Sequence, residues 1–108
     1  MEFEASRFRG PRTGKTKAIA ITTTGGDTDL SALAGFEDFF DTSGGGKGKF
    51  LAFVASQAVQ LSFGSTTVTI TADDPQFPAG AVQSLLAEGA HLGWKAAVNG
   101  TLYVWPAS

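Results

Sequence analysis

The sequence predicts an all-β protein, a compact β-sandwich or jelly-roll-like barrel preceded by an extended N-terminal arm. Three observations carry this. Fourteen glycines and nine phenylalanines stand in only 108 residues, a bias toward short strands joined by tight turns. Apolar residues alternate with polar ones at several places, as in a half-buried strand. Six or seven strand candidates follow one another at short spacing.

The first strand is expected at Ala18–Thr24, where β-branched residues alternate with small ones. Gly25-Gly26-Asp27-Thr28-Asp29 follows as a turn. Leu30, Leu33 and Phe36 or Phe40 then have helical spacing with Asp29 as N-cap, so a single helical turn is expected, although Gly35 and Phe39-Phe40 equally suit a strand. Ser43–Gly48 reads as a flexible loop.

Phe50–Ala55 is almost wholly apolar, as expected of a strand covered on both faces. Val59, Leu61 and Phe63 alternate with Gln60 and Ser62, Gly64-Ser65 turns, and Thr67–Thr71 alternates again, which together read as a hairpin. Pro75 and Pro78 fix a loop over residues 73–80. Two strands, Ala81–Ala87 and Ala90–Ala97, flank the turn Glu88-Gly89. Asn99-Gly100 is the type I′ hairpin signal, and the alternation of Leu102 and Val104 with Tyr103 and Trp105 closes the chain. Six or seven strands make one domain, residues 17–108, behind an arm of residues 1–16.

Several kinds of chemistry are disfavoured. The stretch RGPRTGKT suggests a phosphate-binding P-loop, but only three residues separate Gly10 from Gly14, and a strand follows where a helix should open. With no cysteine there is neither a disulfide nor a thiolate metal site. His91 is the single histidine and reads as a half-exposed structural residue. Asp27 with Asp29, and Asp73 with Asp74, are too few ligands for calcium and read as solvated turn acids. The run Gly44–Lys49 lacks any partner motif for a phosphate nest. No catalytic residue, metal or cofactor is therefore expected. Neither a membrane-spanning apolar run nor a secretory leader is visible, so no membrane partner is expected, and a chain made in the cytoplasm fits the sequence.

Charge is unevenly placed. Residues 1–17 carry five basic residues against two acids, net +3, and residues 18–108 carry three lysines against eight acids, net −5. In the arm, Phe3 and Phe8 stand among Arg7, Arg9 and Arg12, a set suited to contact with a partner by apolar burial and charge pairing. The interleaving in Arg7-Phe8-Arg9 also suits single-stranded nucleic acid, but an acidic body repels a phosphate backbone, so acidic protein surface is the expected partner. Trp94, Tyr103 and Trp105 are candidate interface aromatics. An exposed ring, most of all Trp105 just before Pro106, would instead serve a carbohydrate-binding module.

The second half has a recognisable layout. The run FLAFVASQAVQLSFGSTTVTIT, the loop DDPQFPAG, the segment AVQSLLAEGAHLGWKA and the close NGTLYVWPAS resemble small virion proteins of tailed bacteriophages over about residues 50–108. The resemblance implies a compact β-sandwich carried in many copies on the virion. It implies a capsid decoration (cement) protein that binds the major capsid protein and itself, commonly as a trimer, with a tail or baseplate component as the alternative. It brings no active-site residues. The segment GFEDFFDT and the Gly-Lys loop depart from that layout.

Overall fold

The computed structural model describes residues 16–34, 36 and 49–106. Eight strands run in chain order: β1 (Lys17–Ile21), β2 (Gly26–Asp29), β3 (Lys49–Ala55), β4 (Val59–Gly64), β5 (Gln76–Phe77), β6 (Gln83–Ala87), β7 (His91–Ala96) and β8 (Gly100–Pro106). They form two antiparallel four-stranded sheets, sheet I with the order β1-β8-β3-β6 and sheet II with the order β2-β7-β4-β5. The pairs nest, the first strand with the eighth, second with seventh, third with sixth and fourth with fifth. Such nesting is what a long hairpin rolled onto itself produces, a jelly roll.

Every connection except β4 to β5 therefore crosses from one sheet to the other, and the sheet order corrects two expectations. Asn99-Gly100 makes no hairpin turn: it carries the chain from sheet II to sheet I, Gly100 is not among the positive-φ glycines, and Asn99 Oδ1 accepts from Thr23 N–H at 3.0 Å. Glu88-Gly89 joins β6 and β7 as expected, and in doing so carries the chain from sheet I to sheet II. Thr67–Thr71 is not a strand paired with β4, which pairs instead with β5 and β7.

Residues 65–74 instead form a strap across the outer face of sheet II. Asp27 Oδ1 accepts from Val68 N–H at 2.9 Å, and Gln60 Nε2 donates to Thr71 O at 3.0 Å and Asp74 O at 3.1 Å. Gly93 lies beneath, at a point where a Cβ would overlap the Val68 side chain. Glycine is what lets the strap settle onto the strand.

The segment expected as a turn, residues 25–29, contributes β2, whose Gly26–Asp29 pair with Trp94–His91 of β7. Turn-like composition yields here to an available neighbour. Asp29 caps a single 3-10 turn, Leu30–Ala32, accepting from Ser31 N–H at 3.0 Å, as its place before Leu30 suggested. Leu30 and Phe36 are fully buried, and Leu33 packs beside them. Gly35 and residues 37–48, with the Gly-Lys loop and Phe39-Phe40, lie outside the described residues, as does the arm up to residue 15.

Inward side chains of both sheets make the core. Leu51, Phe53, Leu102 and Val104 of sheet I face Val59, Leu61 and Leu92 of sheet II, and all seven are at most 1% exposed. Phe53 meets Phe77 edge-on, centroids 5.2 Å apart and planes at 80°, the favourable sense of the ring quadrupoles. The packed interior fixes the sheets, and the strand alternation then fixes what each sheet shows outward.

Candidate interaction face

Paired residues of an antiparallel sheet share a face. On sheet I the register places Ala18 and Val54 beside Tyr103, Ala52 beside Trp105 and Ser84, and Phe50 beside Leu86, all opposite the core positions. None of these positions holds a charge. Phe50 is 46% exposed, Leu86 42% and Tyr103 42%, with Val82 at 47% just before β6. The exposed apolar side chains on this face make it a candidate contact surface.

The outer side of sheet II has the opposite character. Asp27, His91 and Lys95 lie on it, and the strap that covers it carries Asp73 and Asp74. Asp27 Oδ2 sits 2.9 Å from His91 Nδ1 while its Oδ1 receives the Val68 amide, and the His91 and Asp27 side chains are 22% and 16% exposed. The hydrogen bond to the Asp27 carboxylate holds the imidazole above its usual 6.5, with burial opposing and the charges of Asp27 and Asp29 adding. Asp29 receives the Ser31 amide and hydroxyl, and Asp74 Oδ2 receives the Thr71 amide at 2.8 Å. Asp29 and Asp74 are thus turn acids as expected, but Asp27 is partly buried and holds two structural elements together.

A cleft of about 270 Å³ opens between the strap and the β1–β2 corner, with Asp27, Lys95 and the hydroxyl-bearing Thr24, Thr67 and Thr69 in its walls; His91 does not line it. Among the described residues no three His, Cys, Asp or Glu gather as metal ligands, and no helix is long and apolar enough to cross a membrane.

The three candidate aromatics separate. Tyr103 lies on the uncharged face. Trp105 is only 6% exposed, contrary to the expectation that it would be the most exposed ring. Trp94 points inward against the core, its indole N–H donating to Thr28 Oγ1 at 3.0 Å. Neither tryptophan offers the open ring that stacking on a sugar needs. Phe3, Arg7, Phe8, Arg9 and Arg12 lie outside the described residues.

Sequence reasoning missed the face as a whole. Its signal was present in the uncharged outward positions of β3, β6 and β8, but only the strand order shows that these three strands lie side by side. The Asp27–His91 pair, 64 residues apart in the chain, had no local signal. Compared with known protein families, with curated proteins and with solved structures, the chain finds no match.

Proposed function

We propose that this chain is a non-enzymatic structural protein that works by adhesion, and that it serves as a capsid decoration protein of a tailed bacteriophage. The observation that carries the adhesive reading is the uncharged outer face of sheet I, with Phe50, Leu86 and Tyr103 exposed on a rigid scaffold. Tyr at such a face supplies contact area at small entropic cost. Binding only in the folded state stabilises a small domain by mass action. The phage assignment rests on the resemblance across residues 50–108, and the jelly-roll order accords with it as an architecture that capsid proteins use. In this reading Arg7, Arg9 and Arg12 of the arm pair with acidic groups on the major capsid protein while Phe3 and Phe8 bury against it.

The test is to purify virions and quantify the chain, then to bind wild-type and Tyr103→Lys protein to undecorated capsids. A fixed ratio to the major capsid protein is expected, with at least about tenfold weaker binding of the variant, the scale of one lost anchor. Absence from the particles, or undiminished binding by a folded variant, overturns the reading. Imaging a labelled chain on the particle separates a shell position from the tail or baseplate.

A further inference from the structure

Each four-stranded sheet has two edges, and an unguarded edge is a template for another strand. Among the described residues, three of the four edges are blunted. Strand β2 reads Gly-Asp-Thr-Asp, β5 has two residues between Pro75 and Pro78, and β1 opens with Lys17. The fourth, β6, reads Gln-Ser-Leu-Leu-Ala, without charge or proline. Of the five large hydrophobics exposed among the described residues, Val82 and Leu86 stand at this edge and Phe50 lies beside Leu86 on the neighbouring β3.

We infer that β6 is a self-pairing edge, where a second copy of the chain adds its own β6 antiparallel across a two-fold axis at Ser84. The sequence supplies its own complement. With Ser84 opposite Ser84 of the second copy, Val82 stands opposite Leu86, and Leu86 opposite Val82, on the outward side. Their exposures of 47% and 42% in the single chain become two apolar cross-strand pairs. Glu88 of one copy falls opposite Gly80 of the other, so no like charges meet along the seam. The contact is isologous and closes on itself, and it joins two copies of sheet I into one sheet of eight strands, with one Glu88 at each end of the seam. The inference stands whether or not that face binds a shell, and it competes with the trimer that the phage resemblance implies.

The full chain contains no cysteine, so a single introduced thiol reports one position. Ser84→Cys is expected to form a covalent dimer under mild oxidation, because directly opposed residues of an antiparallel pair lie within disulfide reach. Val98→Cys, at the exposed β7–β8 crossing, is expected to stay monomeric under the same treatment. Sedimentation of the wild type should give twice the chain mass, and Leu86→Lys should give the single mass while still melting in one cooperative transition, at a temperature lowered by the loss of the second copy. Val82→Lys serves as the second variant if Leu86→Lys fails to fold. A monomeric or trimeric wild type at millimolar concentration, equal crosslinking at positions 84 and 98, or a dimer that survives a folded lysine variant overturns the inference.

Discussion

Asp27 divides its carboxylate between two tasks, one oxygen receiving the Val68 amide of the strap and the other facing His91. Substitutions separate the two. Asp27→Asn keeps an acceptor for the amide but loses the charge; Asp27→Ala loses both and should be less stable than the Asn variant by about 1 kcal/mol in denaturant titration, the net value of one hydrogen bond. The pH dependence has a definite sign. Because the fold raises the His91 pKa above 6.5, the pair's contribution is complete below that value and is lost as pH rises through the folded pKa. Wild-type stability should therefore decline as pH rises above 6.5 and through the folded pKa, relative to Asp27→Asn, and parallel curves for the two proteins would refute the pairing. Gly93 answers to a different force. A Cβ there would overlap Val68 Cγ1 and stand 2.8 Å from its Cβ, and a β-branched side chain has little freedom to yield. Gly93→Ala should cost about 1–3 kcal/mol by overpacking, and Val68→Ala in the same chain should restore most of the loss, a non-additivity readable in a double-mutant cycle.

At the scale of elements, the strap is the part of the fold held least by apolar burial and most by a few polar contacts. Gln60→Ala removes its bonds to Thr71 O and Asp74 O. That substitution should cost about 1–2 kcal/mol and speed amide exchange at Val68 and Thr71 without changing exchange in β3 or β8. The strap also shows where the sequence could be read and where it could not. Strands β4 and β8 declare themselves because their alternation coincides with burial, Val59 and Leu61 in, Leu102 and Val104 in, and β3 through its apolar run, although Phe50 is 46% exposed where cover on both faces was expected. Thr67–Thr71 has equally strong β-branched alternation and forms no strand, because β4 finds its neighbours in β5 and β7. Conversely Gly26–Asp29 has poor strand composition and is one, because β7 presents an edge to it. Asn99-Gly100 has the residues of a tight hairpin, but nested pairing sends the chain across to the other sheet. Local composition reports what a segment tolerates, and the sheet order that decides among the tolerated states is set by contacts distant in the chain. The uncharged face was legible position by position in the same limited sense, and Trp105 shows the limit: its place before Pro106 suggested an exposed ring, and it is 6% exposed.

At the scale of the whole molecule, the sandwich has two unlike outer sides, an uncharged one on sheet I and, on sheet II, one that carries acids, a histidine and a lysine under and along the strap. Stability and function are separable across this division. Phe53→Ala empties a site that is 1% exposed and removes the edge-on contact with Phe77, so it should cost about 3–5 kcal/mol. Tyr103→Lys, on the open face, should stay within about 0.5 kcal/mol of wild type and act on binding alone. The most direct test is radical footprinting of the chain free and bound to purified particles. Protection of Phe50, Leu86 and Tyr103 on binding, with Lys95, His91 and the strap labelled as in the free chain, is the predicted result. Unchanged labelling at Tyr103, or protection concentrated on the strap, would contradict it.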